Sequence, residues 1–173
     1  VGEFVPFEDW LRPLAPLFDL PMSSFARGAY QQANLEANGI HLAPAICFEI
    51  AFPRQVAANL YANTDMIITV SNDAWFGRSH GPAQHLEIAR MRALEFGRPV
   101  LRATNNGISA FIDAKGQITA RLPQFEAGSL TAPVTATEGL TPYRQLGDLP
   151  MGILLTLLLI VSITSKKHRR LFS

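Results

Sequence analysis

Apolar residues fall along this chain in short runs separated by turn-forming clusters, and the spacing of those runs predicts an alternation of strands and helices. Ile40 to Ile46 reads as a buried strand that ends at Cys47, and Met66 to Val70 as a second. Between them, Phe52 to Tyr61 suits a helix with Pro53 in its first turn. Pro82 to Phe96 places Leu86, Ala89, Ala93 and Phe96 on one helical face, with Glu87/Arg90 and Arg92/Glu95 spaced to pair, and Gly97 and Pro99 stop it. Val100 to Ala103 and Ile108 to Ile112 read as further strands around the Asn105-Asn106-Gly107 turn. Asp113 to Gly116 closes a hairpin onto Gln117 to Arg121, and Ser129 to Ala136 supplies a last strand. Strands alternating with helices predict an α/β sheet layered with helices.

The two ends depart from this pattern. Residues 4–30 combine ten large apolar side chains, among them Trp10, Phe18, Met22 and Phe25, with Pro6, Pro13, Pro16 and Pro21. Such proline spacing forbids one long helix, so the segment reads as a structured loop, either covering the core or forming an apolar arm that meets lipid. Residues 137–148 read as a linker. Residues 149–165 carry no charge and would span roughly 25 Å as a helix, a short transmembrane segment or a buried core helix. The basic tail, residues 166–173, favours the transmembrane reading and a cytoplasmic C-terminus, which would put residues 1–148 on the opposite side.

Charge narrows the partners. The 173 residues carry 15 basic and 14 acidic side chains, but Lys166, Lys167, Arg169 and Arg170 lie in the tail. The remainder is net acidic, which argues against a nucleic-acid partner. The single cysteine allows no internal disulfide, and the histidine spacing offers no metal centre.

Cys47 stands where a strand gives way to a helix, a place where backbone N–H groups favour a thiolate and can receive an oxyanion. A buried, inert thiol is the other reading. Glu49 follows two residues later, and Glu3 lies in a loop that could fold over the same cleft, each a candidate acid or base or else a surface carboxylate. Trp75 and Phe76, in a glycine-bounded loop, suit a pocket wall or the core. His41 reads as too far along its strand to pair with Cys47.

Four stretches in order, Val1 to Pro6, Ile46 to Glu49, Ser71 to Gly77 and Arg102 to Ser109, resemble the nitrilase (carbon-nitrogen hydrolase) superfamily. Pro21 to Phe25, Gly81 to His85, Met91 to Glu95 and Gly139 to Tyr143 resemble its apolipoprotein N-acyltransferase branch. The resemblance implies that residues 1–136 are the C-terminal part of a nitrilase-type αββα sandwich, followed by one C-terminal transmembrane helix. It implies a Glu-Lys-Cys triad in which Cys47 is the nucleophile and Glu3 the extra glutamate just after the lysine. Phe48 and Glu49 match the aromatic and acidic residues after the nucleophile, with Phe48 keeping the ring of a common tyrosine without its hydroxyl, and Trp75 is a substrate-binding candidate. The triad glutamate and lysine are expected upstream of Val1, so these residues alone are expected to be inactive. The implied reaction moves a fatty acyl chain from a phospholipid donor, through a thioester, to the amino group of a diacylated apolipoprotein acceptor. The implied location is the bacterial inner membrane with a periplasmic catalytic domain, and no cofactor is needed. A membrane-anchored amidase and a non-catalytic periplasmic scaffold are the competing readings.

Overall fold

The computed structural model describes residues 28–171, with side chains through residue 163. Glu3 and the apolar arm from Trp10 to Phe25 lie outside the described residues. Six strands form one sheet in chain order. Its centre is parallel: β2 (Ile40–Ile46), β3 (Met66–Asn72) and β4 (Val100–Asn105) run side by side. β1 (Leu35–Ala37) joins antiparallel at one edge, and β5 (Ala110–Ile112) and β6 (Ile118–Arg121) add antiparallel strands at the other.

Parallel neighbours need crossovers, and two helices supply them. α1 (Pro53–Ala58) lies between β2 and β3, and α2 (Gly81–Phe96) between β3 and β4. α2 begins with proline in its first turn, where a missing N–H costs nothing, and ends at Gly97, whose φ of 60° suits a residue without Cβ. Its predicted face is buried: Leu86, Ala89, Ala93 and Phe96 join Ile50, Ile67, Val100 and Ile112 in the core. Ala89 and Ala93 are fully buried and small, so the helix backbone can lie close to its neighbours.

β3 and β4 are buried at their starts and more exposed towards their C-terminal ends. In α/β sheets that end of parallel strands is where ligands are received. Both turns of interest here, Cys47–Ala51 after β2 and Asp73–Phe76 after β3, are short 3₁₀ helices at that end.

Several expectations are corrected. Ser129 to Ala136 forms no strand, because Pro133 lacks a donor and the sheet closes with β6. The presumed linker holds a helix, α3 (Pro142–Leu146), capped by Thr141 Oγ1, which accepts the Arg144 N–H at 3.1 Å. The strand expected from Ile108 begins at Ala110, and the helix expected to Tyr61 ends at Ala58. The chain divides into two compact units between Gly139 and Leu140. In the second, α4 (Leu149–Leu171) is a helix, as its composition predicts. The expected transmembrane span is not supported: among the described residues no helix is long and apolar enough to cross a membrane. The helix runs from Leu149 to Leu171, with side chains described from residue 149 to 163. Within that stretch Leu154, Leu155, Leu157, Leu158 and Ile160 are exposed.

Candidate active site

Cys47 is the first residue of its turn, half-buried, with φ of +52°. A residue with Cβ pays for that conformation, and such strain persists only where the surroundings over-determine it. Glu49 supplies one restraint: buried itself, it accepts the Ile46 N–H on Oε2 at 2.7 Å, pinning the residue before the cysteine. Phe48, half-exposed, packs edge-to-face on Phe52 with ring centroids 5.5 Å apart.

Beside the thiol lies a polar cluster drawn from β3, the turn that follows it, β4 and α2. Ser71, near the end of β3, places Oγ 3.6 Å from Cys47 Sγ and donates to Asp73 Oδ1 at 2.6 Å. Asp73 is fully buried and also pairs with Arg102 Nη2 from β4, 2.6 Å from Oδ2, and with His85 Nδ1 from α2, 3.0 Å from Oδ1. His85 Nε2 lies 3.2 Å from the Cys47 carbonyl oxygen. Gly107 lines the same space: a Cβ there would collide with Asp73 Oδ2, so only glycine leaves room for the carboxylate.

Burial alone would raise the pKa of Asp73. Hydrogen bonds from His85 and Ser71 and the charge of Arg102 outweigh it, and the carboxyl sits below its ordinary value. Burial pulls Arg102 below the usual arginine value while Asp73, and to a lesser extent Cys47, oppose that shift. The cluster is therefore a buried ion pair extended to a histidine and a hydroxyl, and its outer edge is a sulfur.

Of the residues singled out by sequence, Cys47, Phe48 and Glu49 stand together on one turn, and Trp75 is on the neighbouring turn with 85% of its surface exposed. His41 pairs with Asp65 rather than with the thiol. Among the described residues no group of three or more histidine, cysteine or acidic side chains could hold a metal ion. Sequence reasoning missed Ser71, Asp73, His85 and Arg102 as site residues. The signal was present in two of them: Arg102 interrupts the apolar run Val100-Leu101, and His85 sits beside Leu86 on the apolar side of α2, positions where a charged or polar group requires a partner.

A family model for carbon-nitrogen hydrolases matches residues 4–143. The chain belongs to the carbon-nitrogen hydrolase family. Curated relatives named apolipoprotein N-acyltransferase share 58% identity over 161 residues in Vibrio parahaemolyticus, covering 93% of this chain and 32% of that protein. The Shewanella oneidensis protein of that name shares 55% over 170 residues, 98% of this chain and 33% of its own. That of Vibrio cholerae shares 61% over 150 residues, 87% and 30%. The chain thus spans about a third of the length of the curated relatives it matches. Among solved structures, an amidase from Nesterenkonia sp. superposes with a TM-score of 0.50 at 22% identity, covering 60% of this chain and 41% of that one. A carbon-nitrogen hydrolase from Helicobacter pylori G27 gives 0.50 at 14%, covering 57% and 41%. These likenesses establish the nitrilase-type α/β fold of this carbon-nitrogen hydrolase chain.

Proposed function

We propose that this chain supplies the nucleophile of an apolipoprotein N-acyltransferase, with Cys47 carrying the acyl group. One observation carries the reading: a cysteine with φ of +52° at a strand-to-turn junction, set over a buried ion-pair cluster. The relatives' shared name supplies the substrate class. In the first step Cys47 Sγ, as thiolate, attacks the ester carbonyl carbon of a phospholipid. The C–O bond breaks, a proton goes to the departing oxygen, and a lysophospholipid leaves. In the second, the α-amino nitrogen of a diacylglyceryl-cysteine attacks the thioester carbonyl. The C–S bond breaks, the nitrogen gives up a proton, and an amide forms while the sulfur is regenerated.

The turn that opens at Cys47 directs the Phe48 N–H as an oxyanion donor in this reading, and Glu49 fixes the turn. Phe48, Phe52 and the exposed Trp75 furnish apolar surface suited to an acyl chain. In this reading Glu3 matches the extra glutamate that follows the triad lysine in sequence, and the triad glutamate and lysine complete the site in a protein of the relatives' length. The exposed leucines of α4 form an apolar surface of the kind that meets lipid, and our reading keeps the reaction at the periplasmic face of the inner membrane.

The test is transfer itself. A protein of the relatives' length carrying this sequence is mixed with phospholipid vesicles bearing a labelled acyl chain and with a diacylglyceryl-cysteine lipopeptide. Label in an amide on the lipopeptide supports the reading. Label released only as free fatty acid, or cleavage of a small amide without acyl transfer, overturns it in favour of a hydrolase, and no turnover points to a scaffold.

A further inference from the structure

A polar cavity of about 320 Å³ opens at the C-terminal end of β4, beside the cluster that holds the thiol. Thr104, Asn105, Asn106, Gly107 and Ser109 form one side, and the other is drawn from residues 122–128. Three contacts fix that outer wall. Leu122 N–H donates to the Ser109 carbonyl at 2.9 Å, Gln124 Nε2 donates to the Gly77 carbonyl at 3.1 Å, and the Arg78 guanidinium lies over the Phe125 ring, 5.2 Å from its centroid. Gly77 and Arg78 follow the turn that carries Trp75, so the wall is tied to the site's own loop. Thr104 lies opposite Ser71 in the register of β3 and β4, and Ser71 Oγ is 3.6 Å from Cys47 Sγ. With neighbouring strands ~4.8 Å apart, the cavity begins on the order of 10 Å from the sulfur.

The lining discriminates between ligands. Thr104 Oγ1 and Ser109 Oγ, 3.3 Å apart, serve one another, whereas the exposed carboxamides of Asn105 and Asn106 have no hydrogen-bond partner among the described residues. Each carboxamide offers N–H donors and a carbonyl acceptor. A peptide amide needs both roles, whereas a phosphate needs donors and is best met by positive charge. Among the described residues no lysine, arginine or histidine lines the cavity, and its one charged lining residue is Glu126, a carboxylate that repels an anion. Asn106 and Phe125, facing each other across the space, both hold positive φ, 58° and 66°. Asparagine adopts that conformation readily, but an aromatic residue is strained there, and such strain gathers at ligand clamps.

We propose that this cavity binds the peptide backbone of the acceptor, the Asn105 and Asn106 carboxamides pairing with amide groups a few residues beyond the cysteine that receives the acyl chain. An extended chain advances about 3.3–3.6 Å per residue, so a gap on the order of 10 Å is crossed by about three residues. The proposal rests on the reading of Cys47 as donor of an acyl chain to a lipopeptide, and it adds how the acceptor is told from the phospholipid. Apolar surface at Phe48, Phe52 and Trp75 suits the chains that both substrates carry, and the neutral polar cavity suits the peptide that only the acceptor carries. Because amide groups recur in every peptide, the cavity selects a backbone and not a particular sequence.

The test measures binding without turnover. A protein of the relatives' length carrying this sequence with Cys47→Ser, in detergent micelles, is titrated with three fluorescent compounds: a diacylglyceryl-cysteine bearing a short glycine-serine peptide tail, the tail-free diacylglyceryl-cysteine amide, and phosphatidylglycerol. The tail is expected to tighten binding about tenfold, and Asn105→Ala combined with Asn106→Gly to abolish that gain while leaving the affinity for the other two compounds where it was. Glycine keeps the positive φ of Asn106, so the loop retains its course. Ala127→Trp, filling the cavity from its exposed wall, should abolish the same gain and decides the matter if the double variant fails to fold. Equal binding of tailed and tail-free compounds overturns the proposal, as does a tail effect that survives these substitutions. Weakened phosphatidylglycerol binding in the variants also overturns it, by assigning the cavity to a headgroup. A tail effect lost with the asparagines in a protein that never transfers an acyl chain would keep this site and remove the proposed function, and transfer without any tail effect would do the reverse.

Discussion

The two ends of the parallel strands each bury an arginine, and the two are used differently. At the N-terminal end Arg98, 2% exposed, donates from Nε to the Thr64 carbonyl at 2.7 Å and from Nη1 to the Gly97 carbonyl at 3.2 Å. Burial lowers its pKa, with Asp65 and Glu138 opposing from nearby. It ties loop backbone together and touches no reactive group. Arg102, from β4, is buried to a similar degree and also donates from Nε to a backbone carbonyl, that of Ile108 at 3.2 Å, but its Nη2 reaches towards the C-terminal end to the Asp73 carboxylate, which also meets His85 and the serine at the sulfur. A buried arginine by itself marks only a need for acceptors; what the acceptor touches next decides whether it bears on chemistry.

This comparison can be broken most forcefully at Asp73. Asp73→Ala leaves Arg102 and His85 buried without their carboxylate and should cost about 3–5 kcal/mol in denaturant unfolding while also slowing alkylation of Cys47. The same carboxylate sets an acid limb. Its pKa is lowered in the folded protein, so it adds stability that is complete above the unfolded value of about 3.9 and is lost as pH falls through the lower folded value. Acid unfolding of Asp73→Ala should lack that component, and an identical acid profile would remove Asp73 from the account.

The other end gives the contrast. Arg98→Ala should cost about 1–3 kcal/mol, because the Thr64 and Gly97 carbonyls lose their donors, yet leave the rate of Cys47 alkylation by iodoacetamide unchanged. A changed rate would show that the two ends are coupled and dissolve the distinction. The smallest expected effect is at Gly107. Gly107→Ala forces a methyl against Asp73, costing about 1–2 kcal/mol by thermal melting and shifting Cys47 reactivity in the direction of Asp73→Ala.

How much of this was legible from sequence follows the range of the forces involved. The central strands and both crossover helices were readable, because apolar periodicity, Pro53, Pro82 and Gly97 act locally. Ser129 to Ala136 misled, since a β-like composition specifies a strand only when a partner pairs with it, and this stretch joins no strand of the sheet. α3 was hidden by its shortness, although Thr141 followed by Pro142 is a cap signal that reads correctly in hindsight. Cys47 could be picked out by its junction, but its cluster could not. Ser71, Asp73, His85 and Arg102 are spread through the sequence, the outermost two 31 residues apart, and meet only because β3, α2 and β4 pack together. His85 was read for metal-ligand spacing, a local test, and its partner was twelve residues away.

The central claim is that Cys47 stores a fatty acyl chain. It is tested most directly by incubating a protein of the relatives' length carrying this sequence with phospholipid vesicles, without acceptor, and examining the Cys47 peptide by mass spectrometry. The account predicts a hydroxylamine-sensitive acyl adduct on that sulfur, absent from Cys47→Ser. Phospholipid turnover with Cys47 unmodified throughout, or undiminished in Cys47→Ser, would contradict it.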